Sequence, residues 1–166
     1  MGKLTVKVIA DKKGLVTLKK RINEIRQASL EVGFYDELHP TATWNGARVS
    51  VAQVAKWSEE GTGRKGGWVA GSMYGNQPPR PFLKPSVELF WNNVSIGQYL
   101  RRLLKMNSNV KLNLAKIGSQ TVNVVQTTID GYTTPRNAPL TISLKGQDNP
   151  LTHTGFMRNS VKYKVY

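Results

Sequence analysis

The sequence predicts a single α+β domain over residues 1–166, with an antiparallel-rich sheet from both chain termini packed against helices and with a long projecting loop. Apolar and polar residues alternate near the two ends of the chain, which is the period of a half-buried strand. Between these ends, apolar residues recur at helical spacing. A chain of 166 residues is long enough for one sizeable core.

The first 35 residues predict a strand, a helix and a second strand. Apolar residues alternate with polar ones at about 4–9 and again at about 28–35. Between the two strands, from about 12 to 27, Asp11 can cap a helix that is apolar on one stripe only. The stripe consists of Leu15, Leu18, Ile22 and Ile25. The two strands are either parallel with a crossover or antiparallel at a distance.

Residues 36–48 predict a loop or a β-excursion, and a short helix follows at about 50–60. Ser50 followed by Gln53 is a capping-box pattern, and Gly61 is a typical residue to end the helix. Two glutamates, Glu59 and Glu60, occupy the end of this helix, where the helix dipole disfavours negative charge. Because such a broken local rule can mark a functional position, we interpret both glutamates as partner-facing.

A glycine-rich segment follows this helix and has six glycines among residues 61 to 75. Trp68, Met73 and Tyr74 lie within it. Large apolar side chains on such a segment indicate a loop that packs against something else. The sequence therefore predicts a loop or arm at about 61–77.

Residues 75–85 form a proline-rich stretch through which no helix or central strand can pass. Its four prolines fix φ and remove backbone donors. They are Pro78, Pro79, Pro81 and Pro85. Arg80 and Phe82 alternate with these prolines on a stiff, extended segment. We interpret the stretch either as a plain connector or as a rigid hinge, and predict that Phe82 buries its ring against the domain.

The second half of the chain predicts helices and a terminal strand. A helical segment runs to about residue 106, with a possible break near Asn92–Asn93. A longer helix at about 109–130 follows and stops at Gly131. Apolar and polar residues then alternate at about 160–165, so a last strand is expected to pair in the sheet of the first two.

The charge balance indicates a surface that attracts polyanions. The chain has 24 Lys+Arg against 10 Asp+Glu, which gives a net charge of +14 and a pI of about 10.2. The positive charges are spread along the chain rather than gathered in a tail. The candidate DNA-facing residues are Arg64, Lys65, Arg101 and Arg102.

No motif of the sequence indicates catalysis, a metal or a cofactor. Cysteine is absent, and His39 and His153 lie far apart without ligand spacing. The glycine-rich segment lacks the Gly-Lys-Ser/Thr ending of a phosphate loop, and there is no Gly-x-Ser-x-Gly. The neighbouring pair Glu59 and Glu60 projects from different helix faces, so it does not form an acid–base pair. We expect no enzyme, no cofactor and no metal.

Hydropathy indicates neither a membrane span nor a secretion signal, since no stretch approaches 18 apolar residues. The absence of cysteine fits a reducing cytoplasm.

Four tryptophans with the basic residues could form a stacking platform for nucleic acid, although the helical positions of Trp57 and Trp91 favour the core. The other two are Trp44 and Trp68.

Three blocks of sequence, in this order, carry a resemblance to a known family. They are VAQVAKWSEEGT at 51–62, PPRPFLKP at 78–85 and PLTISLKGQDNPLTHTGFMRNSVKYKV at 139–165. Together they resemble the tailed-phage virion-morphogenesis proteins of the neck and tail-completion type. In that group a helix ending in E-x-G-T precedes an R-P-F element, and the closing block reads K-G-x-x-x-P-L-x-x-T-G-x-[LM]-x-x-S-[IV]. The resemblance spans roughly residues 50 to 166.

The resemblance implies a non-catalytic structural protein of the virion, assembled in the host cytoplasm. It implies a homo-oligomeric ring, six-fold or a multiple, that contacts neighbouring neck or tail proteins such as connector, tail tube or sheath. Arg80 is expected to pair with Glu59 or Glu60, and Thr154–Gly155 to form the turn before the last strand. The expected subunit-interface residues are Trp68, Met73, Tyr74, Arg80, Phe82, Glu59 and Glu60.

Two other functions stay open from the sequence. A nonspecific DNA-binding or packaging-associated phage protein would use the same positive charge. An enzyme with an unfamiliar site would depend on the histidines His39 and His153 or on the glutamates at the end of the short helix.

Overall fold

The computed structural model describes residues 12–44, 46–62, 77–105 and 108–166. The predicted strand at 4–9 and most of the predicted loop at 61–77 lie outside the described residues, so both stay predictions. The elements in chain order are α1 (Lys12–Gln27), β1 (Leu30–Gly33), β2 (Leu38–Trp44), β3 (Ala47–Ser50), α2 (Val51–Glu60), α3 (Leu83–Asn93), α4 (Ile96–Leu104), α5 (Val110–Asp130), α6 (Pro139–Lys145), α7 (Phe156–Asn159) and β4 (Lys162–Val165).

The predicted α+β class is confirmed, and the described strands pair antiparallel. β1 pairs with β4, with Leu30 opposite Val165 and Gly33 opposite Lys162. Backbone hydrogen bonds between Ser29 and Tyr166 extend this pairing by one position. The last strand therefore pairs with a strand from the N-terminal part of the chain, as the alternation at both ends predicts.

Residues 36–48 contain a β-hairpin, which confirms the β-excursion among the two alternatives. β2 and β3 pair antiparallel around Gly46, whose φ of 79° lies in the left-handed region that glycine adopts readily. At the base of the hairpin, the Val51 amide donates to the Glu37 carbonyl at 2.7 Å. The hairpin therefore leads directly into the first turn of α2.

Side chains at the N-cap positions define where two of the helices begin. The Ser50 hydroxyl accepts from the Gln53 amide at 3.2 Å at the start of α2. Asn109 does the same for the Leu112 amide at 3.0 Å at the start of α5. The break near Asn92–Asn93 is also present, because α3 ends there and α4 begins three residues later.

The core lies between α2, α5 and the closing part of the chain. Its buried residues are Val51, Ala55, Phe82, Val125, Ile129, Leu151, Met157 and Val161. α5 is the central element, since it contacts β1, β4 and α3. Phe82 is the largest completely buried side chain among the described residues, and it comes from the proline-rich stretch rather than from a helix interior.

Gly118 marks the closest approach of α5 to the β1–β4 sheet. A Cβ at this position would lie 2.7 Å from the ring of Tyr163 and 2.9 Å from a methyl group of Leu30. We expect Gly118→Ala to lower the free energy of unfolding by about 1–3 kcal/mol, because the overpacking outweighs the better helix propensity of alanine. Chemical denaturation of the purified protein measures the change.

Gly97→Ala is the matched control for this prediction. Gly97 is also helical, but no atom lies within 4 Å of the Cβ that the substitution would add. Its free energy of unfolding should stay unchanged or rise by up to about 1 kcal/mol. Equal effects of the two substitutions would contradict the close approach of helix and sheet.

One expectation about burial is corrected. Trp91, predicted to lie in the core, is 41% exposed, because α3 turns only Ser86 and Phe90 fully inward. The apolar stripe of α1 is largely exposed as well, and the only buried side chain of this helix is Arg21.

Among the described residues, no helix is both long enough and apolar enough to span a membrane.

Candidate functional site

The candidate site lies where the end of α2 meets the proline-rich stretch, at the base of the predicted loop. Thr62 and Gln77 are joined by two hydrogen bonds, from the Thr62 amide to the Gln77 carbonyl and from the Gln77 amide to the Thr62 hydroxyl, both 3.0 Å. Gly61 has a φ of 76°, and a Cβ there would lie 2.7 Å from a backbone nitrogen of the stretch. Both ends of the predicted loop are therefore fixed at one point of the domain.

Arg80 is buried, and its guanidinium bonds to the backbone of distant segments. Nη1 donates to the Pro150 carbonyl and Nη2 to the Arg136 carbonyl, each at 3.2 Å. The predicted ion pair with Glu59 or Glu60 is therefore wrong. Burial lowers the pKa of Arg80 by desolvation, and the nearby Tyr132 and Asp148 act in the opposite direction.

Glu59 instead caps the start of α3. Its carboxylate accepts from the amides of Phe82 at 2.7 Å, Leu83 at 3.0 Å and Lys84 at 3.3 Å. The residue at the N-cap position of α3, Phe82, has no side chain that can accept these bonds. The glutamate is at the unfavourable end of its own helix but at the favourable end of the next one. The carboxylate of Glu59 is therefore engaged within its own chain, whereas Glu60 is exposed, and the interpretation of both glutamates as partner-facing stays a prediction.

Phe82 fills the space beneath this junction. Its side chain is 0% exposed, and its ring meets that of Phe34 edge-on, with centroids 5.9 Å apart. The predicted burial of the ring against the domain is confirmed. As with Arg80, burial inside the protomer leaves no surface of Phe82 for a neighbouring subunit in this conformation.

The closing block of the sequence completes the junction. Asn149 accepts through its side-chain oxygen from the amides of Leu151 and Thr152, at 3.0 and 2.9 Å, and so shapes the turn that presents the Pro150 carbonyl to Arg80. The expectation that Thr154–Gly155 forms the turn into the last strand is wrong. Gly155 is the N-cap of the short helix α7, and this helix separates the turn from β4.

Asp148 supports the same junction, although no sequence pattern singles it out. It accepts from the Arg136 guanidinium at 2.6 Å and from the Asn137 amide at 3.1 Å. The hydrogen bond from Arg136 is the main cause that lowers the pKa of Asp148. These contacts fix the backbone at residues 136–137. The carbonyl of Arg136 then accepts a hydrogen bond from Arg80.

The candidate DNA-facing residues are only partly described. Arg101 and Arg102 are exposed in the last turn of α4, and the Arg102 guanidinium lies 5.6 Å from the centroid of the Tyr99 ring. Five predicted site residues lie outside the described residues, and their roles stay predictions. These are Arg64, Lys65, Trp68, Met73 and Tyr74.

The described part of the chain brings no catalytic constellation together. An open cleft of about 370 Å³ between β1, α2 and α3 has Lys56, Glu59 and Glu60 at its rim, but Glu59 is engaged by the amides of α3. His39 accepts from the Ala42 amide at 3.0 Å within the β2–β3 hairpin, while His153 is exposed far along the chain. Among the described residues, no group of acidic or histidine side chains could hold a metal ion.

Comparison of the chain with protein-family models, with curated proteins and with solved structures finds no match. The resemblance to virion proteins therefore depends on the three sequence blocks alone.

Proposed function

We propose that this protein is a structural subunit that forms a ring in the neck or tail of a tailed phage, as a head–tail connection, collar or tail-completion protein. The observation that carries the proposal is the convergence of the three resembling blocks. Glu59 of the first block caps the helix that the second block begins. Arg80 of the second block donates to the Pro150 carbonyl of the third.

This convergence supports a structural role because the residues of the three blocks stabilise the protomer. The carboxylate of Glu59 and the guanidinium of Arg80 bond to backbone groups, and Val51, Phe82 and Val161 belong to the core. A set of catalytic residues would instead leave a nucleophile, base or acid directed into a cleft. The sequence blocks therefore favour a scaffold whose function lies in what it assembles with.

The predicted loop is the part of the scaffold that we propose for contact between subunits. Its ends are joined by the Thr62–Gln77 hydrogen bonds, so whatever the loop binds is coupled to a rigid point of the domain. Trp68, Met73 and Tyr74 provide the large apolar side chains that commonly anchor protein interfaces.

Electron microscopy of the purified full-length protein tests the proposal directly. We expect rings with a central hole, and we expect the protein in purified virions. Replacing residues 63–76 by a short Gly–Ser linker, while keeping Thr62 and Gln77, should leave the melting temperature nearly unchanged and abolish the rings. Size-exclusion chromatography with light scattering gives the mass of both forms.

A triple substitution with a matched control separates the loop from general surface effects. Trp68→Ser, Met73→Ser and Tyr74→Ser together should prevent ring formation. Trp91→Ser changes an exposed tryptophan on α3 and should leave the rings intact. A protein that stays monomeric at high concentration and is absent from virions would contradict the ring proposal.

Nonspecific DNA binding is the second candidate, and the exposed arginines of α4 and lysines of α1 favour it. For this candidate, duplex affinity should fall steeply with salt concentration, because several counterions are released on binding. A shallow dependence would exclude it.

A further inference from the structure

Helix α1 is attached to the domain by an arginine rather than by its apolar stripe. The buried Arg21 donates through Nε to the Leu103 carbonyl at 2.7 Å and through Nη2 to Ser108. An amphipathic helix of a globular domain ordinarily buries its apolar stripe against the core. In α1 the first three residues of this stripe, Leu15, Leu18 and Ile22, are 54, 41 and 40% exposed, and Ile25 is half-buried.

The helix that Arg21 holds next to α1 shows the same feature. On α4, Leu100 and Leu104 are 49 and 40% exposed and lie four residues apart, on one face of the helix. Two neighbouring helices therefore both present leucines to the outside of the described structure. Single exposed leucines need no explanation, but several on adjacent helices indicate a surface that binds a protein.

The stripe of α1 lies beside a basic arc, defined as Lys12, Lys19 and Arg26. All three side chains are exposed, and none forms an ion pair with another described residue. An occupant of the stripe would therefore gain from carrying negative charge beside its apolar surface.

A second copy of this chain does not offer that negative charge. Most of its described carboxylates already bond within their own chain, namely those of Glu24, Glu31, Glu37, Glu59, Glu88, Asp130 and Asp148. Among the described acidic residues, this leaves Asp36 and Glu60. With a net charge of +14, two copies would oppose positive surfaces at α1.

A nucleic acid would satisfy the basic arc but not the stripe. Phosphates attract lysine and arginine, yet a duplex offers the leucines no apolar surface to bury, and a single strand stacks on aromatic rings, which the stripe lacks. An amphipathic helix that carries acidic residues beside leucines complements both features. We propose that α1 is a docking surface for such an acidic amphipathic helix of another protein.

This proposal goes beyond ring formation and does not depend on it. Fluorescence anisotropy of the full-length protein tests it with a labelled synthetic helix that has glutamates on one face and leucines on the other. The variant Leu15→Ser/Leu18→Ser/Ile22→Ser removes the stripe. Leu140→Ser/Leu144→Ser on α6 is the matched control, since these leucines are 61 and 62% exposed.

We expect the wild-type protein and the α6 control to bind the peptide equally, and the stripe variant to bind at least about tenfold more weakly. A scrambled peptide of the same composition should bind the wild-type protein weakly. Its affinity should equal that of the stripe variant for the unscrambled peptide. Equal binding of the scrambled peptide would overturn the proposal, because charge alone would then explain the affinity.

Three further results would also overturn it. A lower melting temperature of the stripe variant than of the α6 control would show that the chain itself covers the stripe. A changed oligomeric mass of the stripe variant alone would assign the stripe to a second copy. Finally, a DNA duplex could displace the peptide. If the affinity of that duplex depends on the basic arc and not on the leucines, the surface would be assigned to nucleic acid.

Discussion

Replacing Phe82 with alanine is expected to lower the free energy of unfolding by about 3–5 kcal/mol, because the ring is fully buried and its removal leaves a cavity. The loss includes the edge-on contact with Phe34, at 5.9 Å between centroids. It also removes the contacts of the ring with the core residues of α2 and α5. Urea denaturation followed by circular dichroism measures the change.

Two comparisons show whether the effect comes from the buried ring. Phe82→Leu keeps most of the apolar volume and should be clearly less destabilising than alanine. Trp91→Ala removes a larger ring that is 41% exposed and should also cost less than Phe82→Ala. A Phe82→Ala protein with the wild-type denaturation midpoint would show that the ring is not a core residue.

Replacing Glu59 with alanine is expected to lower the free energy of unfolding by about 2–3 kcal/mol. The substitution leaves the amides of Phe82, Leu83 and Lys84 without their acceptor. It also removes a negative charge from the start of α3, where the helix dipole favours one. Denaturation curves give the stability, and hydrogen exchange at Leu83 and Lys84 should accelerate locally.

The neighbouring glutamate provides a control that differs by one position. Glu60 is exposed and makes no hydrogen bond to a described residue, so Glu60→Ala should change stability by less than about 0.5 kcal/mol. Glu59→Gln keeps one acceptor oxygen and should fall between the two alanine variants. If Glu59→Ala and Glu60→Ala were equally stable, the capping role of Glu59 would be refuted.

Local patterns were sufficient to predict most of the elements. The Ser50 hydroxyl and the glycine at 61 define the ends of α2 through contacts with residues a few positions away, and such contacts are visible in a sequence. The alternation at 160–165 likewise identified β4, and the structure shows that β4 pairs antiparallel with β1. These features depend on periodicity and capping, which need no knowledge of the tertiary structure.

The contacts at the candidate site could not be predicted in the same way. The sequence drew attention to Glu59 because it broke the helix-dipole rule, but its acceptor role depends on an amide 23 residues later. The bonds of Arg80 reach carbonyls 56 and 70 residues away, and any backbone carbonyl looks the same in a sequence. Charge favoured an ion pair with a nearby glutamate, whereas packing brought the guanidinium to the closing block.

The sequence is least informative about burial for the apolar stripe of α1, most of which is exposed in the described structure. The spacing of Leu15, Leu18 and Ile22 correctly indicates a helix with one apolar face, but spacing carries no information about what covers that face. The same holds for Trp91, which follows the buried Phe90 directly on α3 and so points to a different side.

Thr62 and Gln77 are hydrogen-bonded to each other, so the stability of the domain depends little on the length of the segment between them. Because the domain holds both ends together, lengthening the segment adds only closure entropy, about 0.6 kcal/mol for each doubling. Residues 63–76 are therefore a position at which an epitope tag, a fluorescent reporter or a small folded insert can be placed with little cost to folding. The same independence would allow this segment to change rapidly in evolution while the sequence blocks that build the junction stay the same.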